Sequence, residues 1–158
     1  MEEQPKVNDE TPRGTLLGIA YRNASRQPMR ELDRGYVSMA GGVEGDFRGK
    51  RGARQVTVLC AEQWQAACAE LDVELPWTTR RANLLVSGIA VGPESVGQRL
   101  RIGGALLRIT RETDPCRRMD EQHQGLRRAL TPDWRGGACC EVIADGTIAV
   151  GDPVEWLT

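Results

Sequence analysis

Cys116 stands in the stretch DPCRRM, behind Pro115 and ahead of Arg117 and Arg118. A thiol acts as a nucleophile only as its thiolate, and adjacent cations favour that form. Proline is welcome at the first position of a helix. With Thr113 or Asp114 as N-cap, Pro115 predicts Cys116 in a first helical turn. There the helix dipole adds to the arginines and Asp114 opposes them. The competing reading is a small apolar residue in a core, the usual state of a free cysteine. That reading fits the other four thiols. Cys68 falls on an apolar helical stripe, Cys60 ends a strand, and Cys139 and Cys140 share one. Strand alternation turns that last pair to opposite faces and leaves room for one of them beside a pocket.

The second chemical feature is GGVEGDFRGKRGARQV, where Gly41, Gly42, Gly45, Gly49 and Gly52 interleave with Arg48, Lys50, Arg51 and Arg54. Permissive backbone of this kind can gather N–H groups into an anion-binding concavity. Arginine beside it can hold phosphate or carboxylate bidentately. The spacing excludes a Walker A loop, which needs four residues between its glycines and then Gly-Lys-Ser/Thr. A solvated hairpin loop explains the same composition. Two further places pair cations with polar or permissive backbone. Arg80, Arg81 and Asn83 precede an apolar run in TTRRANLLVSGI, and Arg135 precedes Gly136-Gly137 in WRGGACC.

These residues must be positioned by short elements. GTLLGIAYR, GYVSMA and RQVTVLC read as strands. In the last, Val56, Val58 and Cys60 face one way and Gln55, Thr57 and Leu59 the other. Gly103-Gly104 divides two alternating runs and predicts a hairpin. ACCEVI, GTIAVGD and PVEWL predict three more strands. Helical period appears in AEQWQAACAEL, with Trp64, Ala67, Cys68 and Leu71 on one stripe, and once more between Asp114 and Leu130. Many strands and two or three short helices predict a mostly β fold, closed or half-closed into a barrel.

The chain has 158 residues, enough for one domain with its own core. Residues 1–13 are acidic and polar and are expected to be a disordered tail ahead of one domain, 14–158. The start lacks the pattern of an export signal and no apolar run approaches the ~20 residues of a membrane span. A cytoplasmic protein with no membrane partner is therefore expected. Five cysteines without a framework point to reduced thiols. A single histidine, His123, and the lack of a C-x-x-C pair leave no ready metal site. A net charge of −1 with local arginine clusters suits a small anionic ligand. Aromatic content of 4% leaves few stacking platforms, so no nucleic-acid partner is expected.

Taken in order, GVEGDFRGKRGARQVTVL, RRANLLVSGI, GQRLRIGGALLRIT, DPCRRM and RGGACCEVIADGTIAVGDPV resemble a MOSC domain, the module named after the C-terminal part of molybdenum cofactor sulfurases. The resemblance spans roughly Gly14 to Trp156. It implies a β-barrel-like fold with a pocket cysteine, matched here by Cys116, that carries sulfur as a persulfide or sits beside a molybdopterin-type cofactor. It implies cofactor-binding roles for Lys50, Arg51, Arg54, Arg81 and Asn83, with Arg135 as a further cationic candidate. The family also has an association with pyridoxal phosphate, although no desulfurase domain that would bind it is present. Sulfur would then come from a partner, a cysteine desulfurase-type donor, and pass toward a molybdoenzyme acceptor. Three functions stay open at this point: a sulfur carrier or transferase, a non-catalytic module that binds or delivers the cofactor, and a molybdenum-dependent oxidoreductase component.

Overall fold

The computed structural model describes residues 13–157. Eleven strands and three helices follow one another along the described residues. The strands are β1 (Arg13–Tyr21), β2 (Arg30–Leu32), β3 (Arg34–Ser38), β4 (Gly42–Val43), β5 (Val56–Cys60), β6 (Leu84–Ser87), β7 (Arg99–Ile102), β8 (Ala105–Glu112), β9 (Ala138–Ala144), β10 (Gly146–Ala149) and β11 (Pro153–Leu157). The helices are α1 (Ala61–Glu70), α2 (Arg117–Gln122) and α3 (Leu126–Leu130), and a 3-10 turn covers Trp77–Arg80. The expected tail lies outside the described residues except for Arg13, which begins β1. No helix among the described residues is long and apolar enough to cross a membrane.

Seven strands close into a barrel in the order β1-β11-β7-β8-β9-β5-β6, with β6 returning to β1. Closure leaves no bare edge among these seven. Every pairing in the ring is antiparallel except β5 with β6. A parallel pair needs a crossover, and α1 supplies it. The Gly103-Gly104 hairpin joins β7 to β8 as expected. β10 lies outside the ring. It pairs with β3, and β3 with β4, in a separate three-stranded sheet.

Alternation on β5 places apolar side chains on both of its faces, with Thr57 as the polar member of the outer one. Val56, Val58 and Cys60 enter the barrel core beside Leu16, Val86 and Leu107. Leu59 faces outward into a second apolar cluster with Trp64, Met119, Leu126 and Leu130. Burying each large aliphatic side chain contributes roughly 1.5–3 kcal/mol. The helices therefore form a second layer on one side of the barrel. The helical segment after Asp114 is two helices rather than one. Gly125, at φ +88°, holds the left-handed conformation that breaks the run and starts α3.

Candidate functional site

Five separated stretches meet where α2 approaches the open end of the barrel. They enclose a cavity of about 200 Å³ lined by Arg22, Asp46, Phe47, Arg48, Arg54, Thr57, Arg80, Arg81, Ala82, Asn83, Thr113, Cys116, Arg118, Met119 and Gly136. Six arginines face one aspartate, and Asp46 is already engaged. Its Oδ1 accepts the Arg22 backbone N–H at 3.1 Å and its Oδ2 accepts that of Arg48 at 3.3 Å.

The glycine-rich segment is drawn against the barrel by one buried amide. Gln55 Nε2 donates to the carbonyls of Met39 at 2.8 Å and Gly49 at 3.1 Å. Its Oε1 accepts the Val142 N–H at 2.9 Å. Gly49 packs so closely on the Gly41 carbonyl that a Cβ would overlap it. The loop is thus a fixed wall of the cavity and not a loose hairpin tip. Phe47 lies between two cations, with the Arg22 guanidinium carbon 5.0 Å and that of Arg48 5.3 Å from its ring centre.

Arg80 is buried beneath the cavity. Its Nε donates to the Gly136 carbonyl and its Nη2 to the Thr113 carbonyl, each at 3.0 Å. Burial and then Arg54 push its pKa down to about 10, while Cys116, Cys139 and Asp114 act in the other direction. It stays charged at neutral pH. Arg81 follows in the left-handed region at φ +67°, a strained setting for a side chain of this size, and lines the same cavity. Asn83 also lines the cavity, but its side chain is spent on the fold. Its Oδ1 accepts from the Thr57 N–H at 3.0 Å and its Nδ2 donates to the Ala20 carbonyl at 3.2 Å.

Arg22, just past the end of β1, is 8% exposed and its Nη1 has no hydrogen-bond partner. A buried guanidinium nitrogen without an acceptor costs on the order of 1–3 kcal/mol. Burial, then Arg81 and Arg48, lower the Arg22 pKa. An anion in the cavity would supply the missing acceptor and offset the crowding of like charges.

Cys116 is the exposed one of the five thiols. It is the N-cap of α2 and not part of its first turn, since helical angles begin at Arg117. Pro115 therefore precedes the cap. The other four are buried. Burial pushes Cys60 up to about 12, with Glu62 adding to the effect, and raises Cys140 and Cys68. Of the Cys139–Cys140 pair, Cys140 enters the barrel core and Cys139 turns to Thr113, whose Oγ1 is 3.3 Å from its sulfur.

The sequence-stretch matching the MOSC domain model runs over residues 37–155. The chain belongs to the MOSC domain family. Solved structures share the fold at low identity. YuaD from Bacillus subtilis superposes with a TM-score of 0.78 at 20% identity, over 91% of this chain and 95% of that one. YiiM from Geobacillus stearothermophilus gives 0.71 at 15% identity, over 92% and 75% of the two chains. YiiM from Escherichia coli gives 0.68 at 17%, over 91% and 70%. No curated protein matches the chain. MOSC domains are associated with the molybdenum cofactor.

Within this MOSC domain, the residues singled out in the sequence separate into three groups. Arg54, Arg81, Asn83 and Cys116 line the one cavity. Lys50 and Arg51 line an adjoining recess of about 420 Å³, which shares Phe47, Arg48 and Arg54 with the first. Arg51 donates from Nε to the Met39 carbonyl at 3.3 Å. Arg135 is absent from both linings, and its Nη1 pairs with Glu70 at 2.7 Å. Arg80, noted in the sequence beside Arg81, lines the cavity as well, whereas Arg22, Arg118 and Phe47 carry much of the site's character and were not singled out as ligand groups. Arg22 follows an ordinary strand pattern, so nothing in the sequence marks it. A wider recess of about 650 Å³ beneath α1 is lined by Trp64, Leu75 and Trp77 and holds no arginine. No three His, Cys, Asp or Glu side chains cluster to hold a metal ion among the described residues.

Proposed function

We propose that this domain binds the anionic end of a molybdenum–pterin cofactor in the arginine cavity and carries sulfur as a persulfide on Cys116. The observation that carries the reading is the pairing of an exposed thiol with a buried guanidinium whose Nη1 lacks a hydrogen-bond partner, both on the wall of one cavity. The donor set suits the group. Guanidiniums bind phosphate oxygens in a fork, and Arg22 Nη1 lacks an acceptor that such an oxygen would provide. Arg22, Arg48, Arg54 and Arg81 would hold the anion, and Lys50 and Arg51 extend the same charge along the adjoining recess. When bound, the cofactor supplies the metal centre at which sulfur is taken up.

The chain's own part in the chemistry is nucleophilic. The Cys116 thiolate attacks the outer sulfur of a donor persulfide. A new S–S bond forms on Cys116, the donor's S–S bond breaks, and the donor departs as a thiolate. Arg80 holds the segment ahead of Cys116 through the Thr113 carbonyl, and Phe47 and Met119 limit water at the wall. A cysteine desulfurase-type protein is the donor in this reading and a molybdoenzyme the acceptor.

Mass spectrometry of the reduced chain after incubation with a persulfide-loaded cysteine desulfurase tests it. One added sulfur on Cys116, lost in Cys116→Ser, is the expected result. Retention of a pterin cofactor that falls in Arg54→Ala or Arg81→Ala, with no sulfur ever found on Cys116, would leave a binding and delivery module instead.

A further inference from the structure

We propose that the arginine cavity also takes a small sulfane-sulfur oxyanion, of the thiosulfate type, and that Cys116 draws sulfur from it directly. The inference rests on Cys116 being a sulfur carrier and names a substrate class for that same site.

The dimensions of the cavity come first. At about 200 Å³ it lies below the roughly 300–1,000 Å³ usual for pockets that enclose a drug-sized ligand. It suits a compact ion of a few heavy atoms. Its charge comes second. Arg108 pairs with Glu141 and Arg135 with Glu70, and neither pair touches the cavity. Asp46, the acid in the lining, accepts from backbone N–H groups. The site is therefore built for a multiply charged guest, and the buried Arg22 Nη1 is a donor waiting for an acceptor. Sulfur delivery from a protein-borne persulfide needs the exposed thiol and leaves the buried Arg22 Nη1 without an acceptor.

Chemistry selects among small dianions. Phosphate and sulfate would fill the guanidinium set but offer Cys116 nothing to attack. Thiosulfate has three sulfonate oxygens at one end and a weakly held sulfur at the other. The oxygens match the arginines, and the outer sulfur is left for the thiol on the same wall. In the transfer, the Cys116 thiolate attacks that outer sulfur and forms a new S–S bond. The S–S bond of thiosulfate breaks, and its electron pair leaves on sulfite. Cys116 becomes a persulfide anion, so three negative charges enter and three remain. No external oxidant or reductant takes part. Because sulfite leaves as a dianion, the arginines favour its departure as well as the binding of its parent.

The full chain, reduced and then mixed with thiosulfate, provides the test. One sulfite released per chain and one sulfur gained on the Cys116 peptide are expected, with neither in Cys116→Ser. Added cyanide should turn the step over, giving thiocyanate. Inorganic phosphate should raise the KM for thiosulfate at least tenfold with kcat unchanged, and Arg81→Ala should raise that KM tenfold as well. A parallel reaction uses a tertiary-alkyl hydropersulfide, which has no oxygens for the arginines to hold and whose bulk directs attack on its protonated form to the outer sulfur, and phosphate should not slow it. A chain that this donor loads but that releases no sulfite from thiosulfate overturns the inference and leaves the sulfur carrier standing. A chain loaded by neither overturns both. Sulfite release with the sulfur on a cysteine other than Cys116 also overturns it.

Discussion

Arg80 and Thr113, 33 residues apart in the chain, are joined by a hydrogen bond of 3.0 Å from the guanidinium Nη2 to the backbone carbonyl. The bond fixes the stretch that leads to Cys116. Replacing Arg80 by Met keeps the stem's bulk and removes the donors to both Thr113 and Gly136. Two carbonyls lose their partners, so unfolding free energy should fall by about 3 kcal/mol. Urea unfolding monitored by tryptophan fluorescence measures this. A change below about 0.5 kcal/mol would mean that the tether is not structural.

Anion binding should appear as stabilisation. Inorganic phosphate binds the folded cavity and not the unfolded chain, so it should raise the Tm with concentration. Arg54→Ala and Arg81→Ala should each weaken phosphate about tenfold, equivalent to roughly 1.4 kcal/mol. Arg135→Ala should leave affinity unchanged and cost less than about 1 kcal/mol of stability, because Glu70 is half-exposed and such pairs contribute little. Thermal shift titrations on the four proteins separate the cavity arginines from this outlying one.

The glycine loop was partly legible from its letters. Its basic character and its place beside the thiol follow from composition and from the family resemblance. Its rigidity does not, because that depends on Gln55, one residue ahead of β5, reaching carbonyls on the far side of the loop. Gln55→Leu should remove donors from Met39 and Gly49 and orphan the Val142 N–H, lowering stability by about 3 kcal/mol. Gly49→Ala should be comparable, since the added methyl meets backbone that cannot move aside. Differential scanning calorimetry is the direct check.

The barrel itself was readable because period-two alternation and the Gly103-Gly104 punctuation are local signals. The parallel β5–β6 pair and the detachment of β10 are not local, and no alternation pattern distinguishes a strand's partners. The same limit explains the placement of Cys116. Proline is compatible with both N1 and the residue before the cap, and packing of Met119 against Leu59 and Leu126 decides between them. Arg22 was invisible for a simpler reason. A cation at a strand's end is ordinary on the surface, and only the closing of the barrel buries it.

Stability should fall in alkali. Unfolded thiols titrate near about 8.5, whereas burial holds Cys60 up to about 12 and raises Cys140 as well. Below about pH 8.5 both states keep these protons and the stabilising effect is complete. Above it the unfolded chain has lost protons that the folded chain retains. Unfolding free energy therefore drops as pH rises toward 12, by up to about 1.4 kcal/mol per unit for each buried thiol. Urea titrations from pH 7.5 to 10.5 should show the decline, and Cys60→Ala should make it shallower. A flat profile would contradict the burial of these sulfurs.

Alkylation offers a simple map of the thiols. Iodoacetamide on the native chain should modify Cys116 alone, and Cys116→Ser should resist labelling until denatured. Peptide mass mapping reads the outcome. Rapid modification of Cys139 in native protein would show that the Thr113 segment opens.

The pairing of Arg13 with Glu155 ties the first described strand to the last. The nine residues of β1 then carry the chain to Arg22, roughly 30 Å away at about 3.3 Å per residue. The described chain thus enters β1 beside the strand by which it leaves, and Arg22 with the arginine hollow lies past the other end of β1. Tags, fused modules or surface tethers can be attached at that shared base without crowding the mouth. Immobilised preparations should consequently keep their full capacity for small anions.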